Sequence, residues 1–198
     1  PEAVATSLLE RLRREGPGLL PWDERSRGLL ARMRFRAART GAPPLDDAEL
    51  VRRVPQWLLP RLDLAGGAVI DGSGLLAGLV SLVSGRRADL DREVPEHLVL
   101  PTGSRCRIDY SSGVPVVEAR IQEVFGMRAG PLICGVPLVF RLLSPARRPL
   151  QVTDDLAGFW RTSYADVRKE MRGSYPRHLW PEDPATAVPT RGVRPRRG

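Results

Sequence analysis

Residues 136–172 read VPLVFRLLSPARRPLQVTDDLAGFWRTSYADVRKEMR, and the succession of patterns in this stretch sets the fold class. Val136 to Leu143 is dense in apolar, β-forming side chains and is the strongest strand signal of the chain. The link Ser144-Pro145-Ala146-Arg147-Arg148-Pro149 interrupts it, because proline removes a ladder donor, and Leu150 to Thr153 resumes as a weaker strand. From Asp154 to Arg172 the period changes. Leu156, Phe159, Trp160, Tyr164, Val167 and Met171 recur at helical spacing, which predicts one long amphipathic helix with an apolar face for Phe159, Trp160 and Tyr164. The Asp154-Asp155 pair suits the N-terminal cap of that helix and its dipole, and Gly173 is expected to close it. Strands followed by a helix that seals them give an α+β fold.

Moving toward the N-terminus, His97 to Leu100 and Arg105 to Tyr110 are β-like runs around Pro101-Thr102-Gly103-Ser104, the chemistry of a tight turn, and are predicted as a hairpin. Ser111-Ser112-Gly113 marks another turn. Val114 to Ala119 follows as a strand that hands over to a short helix, Ile121 to Phe125, ended by Gly126. Residues 1–95 read as short helices. Leu8, Leu9 and Leu12 form one stripe before Gly16-Pro17-Gly18. Asp23 opens a second helix carrying Leu29, Leu30, Met33 and Ala37, with Arg25, Arg32, Arg36 and Arg39 on its other faces. Asp46 starts a third, which Pro55 and Pro60 should split, leaving Trp57 and Leu58 as core anchors. A Leu-rich helix near Gly74 to Val83 is expected to be central, and Asp89 to Val94 adds a further turn. The predicted organisation is a helical part, 1–95, a mixed or antiparallel β part on a long helix, 96–180, and a disordered Pro/Arg-rich tail, 181–198.

The chain has 198 residues and a net charge of +8, with glycine and proline at 19 each, so a folded protein with many turns is expected. Lys169 is the sole lysine among 31 basic residues. Four of the positive charges, Arg191, Arg194, Arg196 and Arg197, lie in residues 185–198, which contain no acid, so half of the excess belongs to the tail.

The longest nearly apolar stretch, Leu75 to Val83, is far short of the roughly 20 residues that span a bilayer, and no secretion signal is evident. Cys106 and Cys134 are expected as free thiols in a reducing cytoplasm, without a zinc-ligand pattern, and His97 and His178 as ordinary loop residues. Lys169 stands in Val167-Arg168-Lys169-Glu170-Met171, not in a phosphate-cradling P-loop, and no serine sits in a G-x-S-x-G elbow. These residues point to a binding or scaffold module without catalytic, cofactor or metal residues.

Longer motifs carry a resemblance. Leu100-Pro101-Thr102-Gly103-Ser104-Arg105, Ile108-Asp109-Tyr110, Val117 to Gly126, Leu142 to Trp160, Val167 to Gly173, Tyr175-Pro176-Arg177-His178 and Trp180 to Pro184, in this order, resemble the carboxyl-terminal region of HrpB-type bacterial ATP-dependent helicases. The resemblance is strong over residues 95–195 and looser over the preceding helices. It implies a parent protein of the DEAH-box class, with RecA-like motor domains that hydrolyse ATP with magnesium and are associated with RNA. None of those motor motifs occurs in this chain, so the implied ATP and magnesium sites map onto no residue of it.

Two roles remain open at this level. In the first, an accessory domain contributes non-specific contacts to single-stranded RNA or another nucleic acid. Its candidate residues are Arg105, Arg107, Arg147, Arg148, Arg161, Arg168, Lys169, Arg172, Arg191, Arg194, Arg196 and Arg197, with Arg161, Arg168 and Arg172 expected on one side of the last helix. Tyr110 is either a base-stacking residue or a half-buried strand end. In the second, a docking domain packs on the helicase core of the same polypeptide, or recruits a protein, without touching nucleic acid. A cytoplasmic monomer with no membrane contact is expected in either case.

Overall fold

A computed structural model describes residues 2–62, 70–83, 85 and 87–193. The chain divides into two compact units, Pro1–Val94 and Pro95–Gly198.

The first unit is helical. Helix α1, Glu2–Glu15, buries Leu12 and gives way to a 3-10 turn at Pro17–Leu19. Helix α2, Glu24–Thr40, begins at a reciprocal cap in which Ser26 N donates to Asp23 Oδ1 (2.7 Å) and Asp23 N donates to Ser26 Oγ (3.0 Å). Asp46 caps α3, Asp47–Arg52. The predicted split at the prolines is present: Pro55 sits in the first turn of α4, Val54–Trp57, and Pro60 in a 3-10 turn, Leu59–Arg61. Among the described residues, helices α5, Gly72–Leu82, and α6, Arg87–Glu93, complete the unit.

Trp57, Leu58, Leu75 and Leu79 are fully buried, as the apolar pattern requires. The approach of α5 to Trp57 depends on Gly78, where an added Cβ would stand 2.6 Å from both Trp57 Cε3 and Trp57 O.

Arg32 departs from expectation. It does not lie on an exposed face of α2 but is 2% exposed, donating from Nε to Val94 O (2.8 Å) and from Nη2 to Asp91 (2.6 Å). One turn on, Arg36 Nε donates to Glu93 (2.7 Å), so two arginines tie α2 to α6.

The second unit is built on a five-stranded mixed sheet. Strands β1, His97–Val99, and β2, Arg105–Asp109, form the predicted hairpin, which places His97 in a strand and not in a loop. β3, Val116–Arg120, runs antiparallel to β2. β6, Val139–Leu143, lies parallel to β3, and β7, Pro149–Thr153, pairs antiparallel on its far side. Ile108, Val117 and Phe140 stand side by side on the buried face, while Glu118 and Arg141 face outward and pair at 3.0 Å.

The single strand expected over Val136 to Leu143 is divided. Leu138 turns inward, 1% exposed, and the preceding pair, β5, Val136–Pro137, joins β4, Leu132–Ile133, in a separate two-stranded ribbon. Its tight turn uses Cys134 and Gly135, both at positive φ, where asparagine and glycine are the usual signal.

The long terminal helix is also divided, into α7, Leu156–Arg161, and α8, Tyr164–Ser174. Asp155 caps α7 by accepting from Gly158 N (2.8 Å). The break falls at Thr162-Ser163, where the Thr162 hydroxyl donates back to Gly158 O (2.8 Å), a local alternative to the helical ladder. Gly173 lies inside α8 and does not close it.

Phe125, Phe159, Trp160 and Tyr164 form one aromatic cluster, with Trp160 and Tyr164 edge to face at 5.4 Å. Trp160 Nε1 donates to Met127 O (2.8 Å), so the segment after β3 is clamped by the helices.

Residues 181–193 hold no helix or strand, yet their first part is not the free tail that composition suggests. Tyr164 OH donates to Pro181 O (3.0 Å), and Gly126 N to Pro184 O (2.9 Å).

Candidate functional site

The sheet brings three connections to one end. The hairpin turn 100–104 lies between β1 and β2, the segment 121–126 leaves the C-terminal end of β3, and residues 144–148 leave the same end of the parallel strand β6. Arg105 opens β2 and Arg120 closes β3 at this end, the 144–148 connection carries Arg147 and Arg148, and Arg191 reaches in from the terminal segment to donate to Thr102 O (2.5 Å).

At their centre is Glu123, 5% exposed. Its Oε1 accepts from Ser104 Oγ (2.5 Å) and Thr102 Oγ1 (3.3 Å), and its Oε2 from Arg120 Nε (3.3 Å). One buried carboxylate thus fixes the hairpin turn against the end of β3 and is itself fully engaged. Cys106 sits beside the same groups. Burial and the Glu123 charge push its thiol above the ordinary 9.0, while Arg147 and Arg120 pull the other way. The field of Arg120 also acts on His178, whose pKa is lowered from 6.5 first by burial and then by Arg177 and Arg120.

The 144–148 connection is a closed turn. Arg147 N donates to Ser144 O (2.9 Å), Ser144 N to Arg148 O (2.8 Å), and Arg148 N to Ser144 Oγ (3.0 Å). Arg147 occupies φ 62°, a left-handed conformation that costs a side chain strain and that glycine fills freely. The strain holds two exposed arginines, Arg147 and Arg148, at the tip.

The HrpB_C family, described as ATP-dependent helicase C-terminal, matches residues 57–184. The chain belongs to this helicase C-terminal family. It is 40% identical to the ATP-dependent RNA helicase HrpB of Escherichia coli (strain K12) over 198 residues, 95% of this chain and 24% of that protein. The crystal structure of the E. coli DExH-box NTPase HrpB superposes with a TM-score of 0.81 at 40% identity, covering 92% of this chain and 24% of that one. A second, of the E. coli DEAH/RHA helicase HrpB, gives 0.66 at 36% identity, covering 87% and 23%. The chain therefore spans about a quarter of the length of its HrpB relatives.

Within this HrpB-type domain the predicted basic residues separate into groups. Arg105, Arg147, Arg148 and Arg191 gather at the sheet end. Arg107 stands opposite His97 on the β1–β2 hairpin. Arg161 ends α7, so the break removes it from the helix side it was expected to share with Arg168 and Arg172. Arg168 is committed within the domain, donating from Nε to Trp180 O (3.0 Å) and pairing with Glu182 (3.1 Å). Lys169 and Arg172 are exposed on α8. Arg194, Arg196 and Arg197 lie outside the described residues. Tyr110 is 3% exposed with its hydroxyl donated to Pro95 O (2.6 Å), so it is a structural residue and not a stacking platform.

Sequence patterns alone did not join Arg120, Glu123, Thr102 and Ser104 into one constellation. Its faint trace was the Arg120…Glu123 spacing beside a Thr-Gly-Ser turn. Among the described residues, no helix is long and apolar enough to cross a membrane.

Proposed function

We propose that this chain is the accessory C-terminal domain of an HrpB-type helicase and adds non-specific contacts to single-stranded RNA through the basic end of its sheet. The observation that carries this reading is the convergence of Arg105, Arg120, Arg147 and Arg148 on that end, around a carboxylate already occupied by Ser104, Thr102 and Arg120. Such a surface attracts phosphates without reading bases, and the enclosure of Phe125, Phe159, Trp160 and Tyr164 in the core supports a contact made by charge and not by stacking. Arg147 and Arg148 present planar donors suited to phosphate oxygens.

In this reading the domain does not hydrolyse ATP. ATP and magnesium belong to the helicase core of the parent polypeptide, on which the domain packs, in the cytoplasm. Purified chain should bind labelled single-stranded RNA at low salt in a fluorescence anisotropy titration and release no phosphate from ATP. ATP turnover proportional to protein contradicts the non-enzymatic assignment. Absence of RNA binding at low salt contradicts the RNA contact and leaves a docking domain, a role favoured by the exposed Val99 and Val152 on the two edge strands and Leu132 in the ribbon.

A further inference from the structure

The terminal segment crosses the same end of the sheet, and its two halves are held differently. Its first half is anchored deeply: Trp180 is 6% exposed and donates to Tyr175 O (3.0 Å), Arg168 and Tyr164 of α8 hold the carbonyls of Trp180 and Pro181, and Gly126 N holds Pro184 O. Its second half rests on Thr190 N donating to Gln122 O (2.9 Å) and on Arg191 reaching Thr102 O.

That second seat is poorly matched. Among the described residues, Gln122 Nε2 and Thr190 Oγ1 are buried with no hydrogen-bond partner, as is His178 Nδ1, whereas buried polar atoms are ordinarily satisfied. Arg191 is set down on the Thr102 carbonyl, at the end of the sheet where Arg120 bonds Glu123 and where the charges of Arg147 and Arg120 act on Cys106. A cationic residue therefore closes over an end of the sheet that carries further arginines and an unpartnered amide donor, groups that suit an anion. Val188, in the span that approaches the seat, is 76% exposed and adds no buried apolar area.

We propose that residues 187–191 are a displaceable strap over the basic end of the sheet, and that RNA phosphate competes with the strap for this place. This inference rests on the RNA reading above and adds its regulation. The strap and the nucleic acid exclude one another, so the apparent affinity equals the intrinsic affinity reduced by the fraction of molecules with the strap lifted. Anchors at Pro181 and Pro184 keep the strap tethered while its far half lifts.

The test is anisotropy titration of a labelled oligouridylate against the full chain at low salt, with three forms compared. Thr190→Pro deletes the N–H that reaches Gln122 while keeping every arginine, and should bind roughly three- to tenfold tighter than the unaltered chain. Thr190→Val keeps the N–H and replaces the orphaned hydroxyl with a methyl, and should bind severalfold more weakly because the strap is held better. Thermal midpoints of all three forms establish that each is folded. Equal or weaker binding by Thr190→Pro, with Thr190→Val unchanged, overturns the strap while leaving the RNA reading intact. No binding by any folded form overturns the RNA reading itself, and the strap with it.

Discussion

The Ser104 hydroxyl donates to Glu123 Oε1 at 2.5 Å, joining the residue that leads into β2 to one that follows β3, at the same end of that antiparallel pair. Through this bond a buried acid organises a basic surface. Because Glu123 also accepts from Thr102 and Arg120, its removal takes a shared acceptor from two hydroxyls and a guanidinium. Glu123→Ala is expected to lower stability by about 1–3 kcal/mol in urea denaturation, against less than about 0.5 kcal/mol for the exposed Arg105→Ala. Equal effects of the two changes would remove Glu123 from its organising role.

Arg147 allows stability and affinity to be separated. Glycine relieves the strain at φ 62°, so Arg147→Gly should raise stability by about 1 kcal/mol while weakening RNA binding. Thermal denaturation and anisotropy on the same sample read both. A variant that loses stability contradicts the strain argument.

Acid should act on the first unit through Arg32 and Arg36. Burial pushes the Asp91 carboxyl up, but the hydrogen bond and charge of Arg32, with Arg87, outweigh it and hold the pKa below 3.8. Glu93 is held below 4.5 chiefly by its hydrogen bond to Arg36. A depressed carboxylate pKa stabilises the fold fully above the unfolded value, and that contribution disappears as pH falls through the folded one. Arg32→Ala should cost about 1–3 kcal/mol at pH 7, since it removes the buried hydrogen bond to Val94 O and empties the site that the side chain fills. The decline of stability as pH falls through and below the ordinary carboxylate range should be shallower in Arg32→Ala with Arg36→Ala than in the unaltered chain, by urea midpoints; equal slopes contradict the linkage.

Gly78 is the contact point of α5 on Trp57, and an alanine there meets ring and backbone at 2.6 Å. Gly78→Ala should destabilise by about 1–3 kcal/mol, with a blue or red shift of tryptophan emission reporting the displaced Trp57. An unshifted, equally stable variant would mean that the helix yields without cost.

How much of this was legible in sequence depends on the range of each interaction. Asp23, Asp46 and Asp155 announce their helices because a cap acts within three residues. The hairpin at Pro101-Thr102-Gly103-Ser104 was visible for the same reason. The break at Thr162-Ser163 was hidden because Trp160 and Tyr164 keep helical spacing across it, so the apolar pattern continues where the backbone does not. Cys134-Gly135 concealed a ribbon turn because cysteine is an unusual occupant of positive φ. Arg32 resembles any charged helix residue until α6 returns with Asp91 and Val94. The Glu123 constellation joins residues 21 positions apart and exists only once β2 has paired with β3.

The central claim, that the sheet end binds RNA through phosphates, is tested most directly by the salt dependence of binding in matched charge variants. Arg147→Ala with Arg148→Ala should reduce the slope of log K against log salt by roughly 1.4, about 0.7 for each single-strand phosphate that an arginine no longer neutralises. Arg25→Ala with Arg27→Ala removes the same charge from exposed positions on α2 and should leave that slope unchanged. Equal slopes for the two double variants would contradict the assignment of RNA contact to the end of the sheet.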